Sequence, residues 1–219
     1  MVDFKHNNSY GKTFSFIWAL DDTTVWIEIP KNGSAAIKTT RFGFIVVNNK
    51  GTILPPSKRC SLQPIEVSDI AKYRKGFIIL RDPIKRFKSN IAYFFSGGIK
   101  QHLGREWMIR NGFLDKNSEI KVFKNIPIED KIDLILNNWS KMDNFDGIHH
   151  FNSQAHFIPP EFDNLKYRMA FEMKDLSRIF GFEEKINYSS SSTVLINNEQ
   201  KAIIKELYKE DYDLIEKYL

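Results

Sequence analysis

Between residues 23 and 30, Val25, Ile27 and Ile29 alternate with Trp26 and Glu28, the period of two that marks a strand. Lys31, Asn32, Gly33 and Ser34 follow as a turn, and residues 35–41 take a helical pattern. Residues 42–47 and 52–54 are predicted to pair as a hairpin across Asn48, Asn49, Lys50 and Gly51. The run Gly76, Phe77, Ile78, Ile79, Leu80 is short and almost wholly apolar, as expected of a strand buried on both faces of a parallel sheet. Pro83 suits the first turn of a helix, which is predicted over residues 84–95 and stopped by Gly97 and Gly98. The spacing of Ile132, Ile135, Leu136, Trp139 and Met142 predicts an amphipathic helix over 129–142. Residues 168–173 read as a strand and 174–180 as a helix ended by Gly181. In the tail, Ile203, Ile204, Leu207, Leu214, Ile215 and Tyr218 line one face, which predicts a C-terminal helix over 199–218. Strands alternating with helices predict an α/β fold with a mostly parallel central sheet flanked by helices, as one domain over residues 1–219. In such sheets ligands bind beyond the C-terminal ends of the strands.

The composition agrees with a packed protein: 42% hydrophobic and 27% charged residues, with 219 residues in all, room for one domain with a sizeable core. Eighteen Phe would serve a deep core or aromatic-walled pockets. The single cysteine, Cys60, excludes an internal disulfide framework and any cysteine-rich zinc module. No apolar run approaches the roughly 20 residues that cross a bilayer, and the first ten residues carry no apolar signal core, so a soluble, cytoplasmic protein is expected. The net charge of +5 suits a partner bearing phosphate or sulfate. The basic residues are spread out rather than blocked, which disfavours nucleic acid as that partner. Ser189, Ser190, Ser191 and Ser192 read as a loop rather than a linker.

Two strand ends carry the chemistry. The first is Ile29-Pro30-Lys31-Asn32-Gly33-Ser34-Ala35-Ala36, a turn between a strand and a predicted helix. Free N–H groups and the positive end of a helix dipole make such a turn attractive to anions. Gly33 permits close approach of the backbone, Lys31 adds an ammonium and Ser34 a hydroxyl donor. The nucleotide-triphosphate P-loop has its Lys after the last Gly, whereas Lys31 precedes Gly33. A plain turn with a solvated Lys is the competing reading. The second segment is Arg81-Asp82-Pro83-Ile84-Lys85-Arg86-Phe87-Lys88-Ser89. Arg81 stands where a buried strand emerges, and guanidinium suits bidentate phosphate recognition. The bland reading pairs Arg81 with Asp82 or has it cap a neighbouring element, and leaves Arg86 and Lys88 on a solvated helix face.

Taken together, these segments resemble the sulfotransferases that use 3′-phosphoadenosine 5′-phosphosulfate (PAPS), above all their carbohydrate-sulfotransferase-like branch. Pro30-Lys31-Asn32-Gly33-Ser34 is similar to that family's 5′-phosphosulfate loop. Arg81, Pro83, Arg86 and Ser89 match its 3′-phosphate motif in type and spacing. His150-Phe151-Asn152-Ser153-Gln154 resembles a His-aromatic-x-Pro-Gln segment, with Ser153 in place of Pro. Leu207-Tyr208-Lys209-Glu210-Asp211-Tyr212 resembles a Tyr-x-x-Asp-Tyr helix. Ala35 and Ala36 depart from the family pattern, which usually has hydroxyl residues there.

The resemblance implies a P-loop-like sulfotransferase fold and transfer of a sulfuryl group from PAPS to an acceptor hydroxyl, a glycan by default, without a metal. Lys31 would stabilise charge on the leaving oxygen. The amides from Gly33 to Ala36 would hold the 5′-phosphate, and Arg81 and Ser89 the 3′-phosphate. The acceptor needs a base, and His149, His150 and His156 are the candidates, with Glu66 and Asp69 behind them. Trp18, Trp107 and Trp139 could stack on a sugar or on adenine, although core packing uses tryptophan more often. Two other readings stand beside this one: a P-loop-like phosphotransferase, and a non-catalytic domain that binds nucleotide or polyanion.

Overall fold

The computed structural model describes residues 5–7, 13–33, 46–47, 53–54, 63–98, 100–142, 145, 150–176 and 193–219. The helical pattern of 35–41, Cys60 and the Gly181 cap lie outside them. The chain divides into two compact units. The first comprises Met1–Arg81, Ser153–Asn187 and Glu210–Leu219; the second comprises Asp82–Asn152 and Tyr188–Lys209.

The first unit carries the sheets. Strands β1 (Lys5–Asn7) and β2 (Thr13–Ser15) form an antiparallel pair, as do β5 (Val46–Val47) and β6 (Ile53–Leu54), within the segments that the sequence predicts to pair; the predicted turn over 48–51 lies outside the described residues. The main sheet contains β3 (Ile17–Ala19), β4 (Thr24–Ile27), β7 (Gln63–Pro64), β8 (Lys75–Leu80) and β9 (Tyr167–Glu172), in the order β7-β3-β4-β8-β9. It is mixed. β8 runs parallel to β4 and to β9, whereas β3 is antiparallel to β4 and to β7. The expectation of a mostly parallel sheet thus applies to β4, β8 and β9. Strand β3 escapes sequence analysis because it is three residues long. Asp21 closes the β3–β4 turn, accepting from the N–H of Thr23 at 2.7 Å and its Oγ1 at 2.8 Å.

In β8 every residue from Gly76 to Leu80 is buried. Phe77 pairs in register with Trp26 and Met169, so their side chains share one face. The Trp26 and Phe77 rings stack at 6.2 Å, and Leu20, Ile79 and Leu176 complete the cluster. A Cβ on Gly76 would press on the side chains of Leu165 and Phe162, which would have to shift to admit it.

The second unit is helical. Its helices are α1 (Pro83–Phe94), α2 (Gln101–Arg110), α3 (Ile120–Asn125), α4 (Ile128–Asn137) and α5 (Asn198–Leu207). Asp82 caps α1 by accepting from the Lys85 N–H at 2.8 Å, and Pro83 fills the first turn. Phe87, Phe94, Phe95, Phe123, Phe145 and Phe151 are buried in one core, which accounts for much of the phenylalanine content. Lys131 is unusual in being only 3% exposed. Its Nζ donates to the carbonyl of Phe95, the residue ending α1, at 3.1 Å, and stands 4.2 Å from the Phe123 ring centre. Burial pushes its pKa down to about 8.

Two predicted helices are each shorter than expected. The helix over 129–142 ends at Asn137 and continues as a 3-10 turn, Trp139–Met142. The Asn138 side chain donates to the Leu134 carbonyl at 2.9 Å and so competes with the backbone ladder. The C-terminal helix is two, α5 and then α6 (Lys209–Tyr218), separated by Tyr208. Tyr208 is buried and its hydroxyl donates to the Phe151 carbonyl at 2.7 Å. Residues 173–175 form a 3-10 turn and Leu176 is helical, and the rest of the helix predicted over 174–180 lies outside the described residues. No helix among the described residues is long and apolar enough to cross a membrane.

Candidate functional site

β4 and β8 are parallel, with Ile27 opposite Ile78, so the segments after both strands leave the sheet at the same edge. After β4 the chain makes a tight turn in which the Asn32 N–H donates to the Ile29 carbonyl at 3.2 Å. Pro30 is its second residue and Lys31 its third, with φ of 68°. Proline followed by a positive φ is the pattern of a type II turn, whose third position favours glycine. A lysine there is strained by about 1–2 kcal/mol. Gly33 also has a positive φ, 88°, and a Cβ added to it would collide with Leu176.

Arg81 follows β8 directly. Its Nη1 donates to the Lys31 carbonyl at 2.9 Å, which joins the two sequence-predicted segments. Asn32, 1% exposed, donates from Nδ2 to the Ile79 carbonyl at 2.7 Å and to Gln154 Oε1 at 2.5 Å. Gln154 Oε1 also accepts from the Arg81 N–H at 3.0 Å, and Gln154 Nε2 donates to the Arg81 carbonyl at 2.8 Å. Asp211, fully buried, receives the backbone N–H groups of Gln154 and Ala155 on Oδ1 and Gln154 Nε2 on Oδ2 at 3.2 Å. Beside the turn, Glu28 is buried and accepts from Trp18 Nε1 at 2.7 Å.

In the helical unit, three side chains hold three consecutive carbonyls. Asn90 Nδ2 donates to His150 at 2.7 Å, the Tyr208 hydroxyl to Phe151 at 2.7 Å and Arg86 Nη1 to Asn152 at 2.6 Å. Arg86 is therefore not on a solvated face; it is 1% exposed and builds the segment that presents His150. The His150 ring packs edge-on against Phe94 at 5.1 Å and faces Tyr93 at 6.2 Å. Ser89 is buried on α1 at 4% exposure. Trp107 is a core residue, its Nε1 donating to the Lys141 carbonyl at 3.0 Å.

Lys31, Asn32, Gly33 and Arg81 thus come together in the sheet unit, with Pro30 inside the same turn. Ser89 and His150 belong to the helical unit. Ser34, Ala35, Ala36 and His149 lie outside the described residues. His156 is in the sheet unit, packed on Phe157 at 5.3 Å. Among the described residues, no group of three or more His, Cys, Asp or Glu could hold a metal ion. Gln154 and Asp211 are the members that motif chemistry does not single out. Their only sequence signal is that each falls in a segment resembling the PAPS sulfotransferases.

The arrangement places an ammonium-bearing turn and a guanidinium at one edge of an α/β sheet, where a multiply charged anion would be attracted. The fold and site define an α/β protein with a candidate anion-binding edge. No protein-family model, curated protein or solved structure matches the chain.

Proposed function

We propose that the chain is a PAPS-dependent sulfotransferase acting on an acceptor hydroxyl, with carbohydrate as the acceptor class. One observation carries the reading: the Arg81 guanidinium donates to the Lys31 carbonyl at 2.9 Å, beyond the C-terminal ends of two neighbouring parallel strands. Open α/β sheets bind ligands at such edges. Lys31 and Arg81 are about fifty residues apart in the chain, and a nucleotide with two separate phosphate groups calls for cations from two such segments.

In the proposed reaction the acceptor oxygen attacks sulfur in line with the leaving oxygen. The new S–O bond forms as the bond to the 5′-phosphate breaks, and 3′-phosphoadenosine 5′-phosphate departs. The acceptor proton passes to a base, the role for which the sequence offers His149, His150 and His156. Lys31 neutralises charge on the leaving oxygen, the turn at Gly33 receives the 5′-phosphate and Arg81 the 3′-phosphate. Protein groups here position and stabilise rather than react.

The test is calorimetric titration with 3′-phosphoadenosine 5′-phosphate, 5′-AMP and ATP. The bisphosphate is expected to bind at least about tenfold more tightly than AMP, the worth of one good charge-assisted contact. Arg81→Ala should abolish that preference. Equal affinities for all three nucleotides would sink the sulfotransferase reading. Binding of a polyanion such as heparin, falling steeply with salt, would then favour the non-catalytic alternative.

A further inference from the structure

We infer that Gln154, held by Asp211, is a positioning residue for anion binding by the Lys31 turn and Arg81. The ligand in this inference rests on the reading above; the geometry does not.

Arg81 lies one residue beyond the last paired position of β8, where Leu80 faces Glu172. Its main chain has left the ladder and its N–H and carbonyl still need partners. The Gln154 side chain supplies both, as an adjoining strand would: Oε1 accepts from the Arg81 N–H at 3.0 Å and Nε2 donates to the Arg81 carbonyl at 2.8 Å. The same Oε1 takes Asn32 Nδ2 at 2.5 Å. One buried oxygen therefore ties the turn after β4 to the end of β8.

The chemistry demands an amide at position 154. Nε2 has two acceptors to satisfy, the Arg81 carbonyl and Asp211 Oδ2. A carboxylate there would put oxygen against oxygen at both. Asp211 in turn holds the backbone of Gln154 and Ala155, which fixes where the glutamine side chain starts. With the Arg81 backbone held, its guanidinium is delivered to the Lys31 carbonyl at 2.9 Å. An anion then meets a guanidinium already oriented beside the Lys31 turn, and less freedom is lost on binding.

The experiment uses the full chain and 3′-phosphoadenosine 5′-phosphate as probe. Gln154→Met conserves volume and removes both hydrogen bonds to Arg81. Amide exchange at Arg81 is expected to accelerate by at least about tenfold, while Ile78 within β8 keeps its protection. Affinity for the probe should fall by a similar factor. The second variant is Gln154→Glu combined with Asp211→Asn. The new amide at 211 still accepts from the two backbone N–H groups and donates to the carboxylate at 154, so folding stability recovers relative to Gln154→Glu alone. The Arg81 carbonyl still faces a carboxylate, so affinity does not recover. Affinity that returns together with stability would overturn the positioning role, because packing alone predicts both. If the wild-type chain prefers no nucleotide, only the ligand assignment falls. Arg81 exchange in Gln154→Met then decides whether Gln154 holds the Arg81 main chain: unchanged exchange overturns this, and accelerated exchange upholds it.

Discussion

Replacing Lys31 by Gly and, separately, by Ala divides strain from chemistry at the proposed site. Lys31 has φ of 68°, a left-handed conformation that costs a residue with a Cβ about 1–2 kcal/mol. Alanine keeps that cost and glycine removes it, at the expense of about 0.5–1 kcal/mol of extra chain entropy. The Gly variant should therefore be more stable than the Ala variant by about 0.5–1 kcal/mol. At an ordinary extended position the sign is reversed, because the entropy cost is then uncompensated. Hydrogen exchange of the β8 amides is the suitable assay, since it reports opening of the sheet unit by itself. Both variants lack the ammonium, so both should lose affinity for 3′-phosphoadenosine 5′-phosphate by similar factors. An Ala variant as stable as the Gly variant, or more so, would refute the strain argument. A Gly variant that is more stable and still binds fully would refute the role given to the Lys31 ammonium.

Two further outcomes follow from the packing. Gly33→Ala is expected to destabilise the sheet unit by about 1–2 kcal/mol, from its φ of 88° and from the collision with Leu176, measured by urea denaturation; no loss would mean that the turn relaxes freely. Lys131 has a folded pKa of about 8 against an ordinary 10.5, so between those values the unfolded chain holds a proton that the folded chain has released. Stability should then rise with pH across that window, by at most about 3 kcal/mol, and Lys131→Met should flatten the rise; the same slope in both proteins would contradict the cost of burying this charge.

Much of the framework was legible because the underlying signals are local. Alternation of Val25, Ile27 and Ile29 located β4, the apolar run to Leu80 located β8, and Pro83 marked the start of α1. The failures come from tertiary competition. Periodicity ran through Asn138 and Tyr208 because neither hydrogen bond that ends a helix there, to Leu134 and to Phe151, is visible in a pattern of apolar residues. The mixed sheet was hidden by the brevity of β3 and β7. At the site, Lys31, Gly33 and Arg81 could be named from turn chemistry and residue type. Gln154 and Asp211 could not, since burial of a polar side chain is decided by what surrounds it, and their partners lie up to 122 residues away.

The buried groups beneath Lys31 and Arg81 also weigh between the competing functions. Loose binding of a polyanion draws on cations spread over a surface and on counterion release, and needs no fixed spacing between any two of them. Here Asn32 Nδ2, Gln154 and Asp211 are desolvated and bonded to one another and to the main chain at the two strand ends, while Asn32 Oδ1 is buried without a partner among the described residues. Burying such groups costs about 1–3 kcal/mol wherever a partner is missing, so the network tolerates few substitutions. A strained lysine above it points the same way, because strain persists where the surroundings impose it and tends to gather at binding sites. Constraint of that kind favours a ligand of defined shape with separated charges, which a nucleotide bisphosphate has and a flexible polyanion lacks.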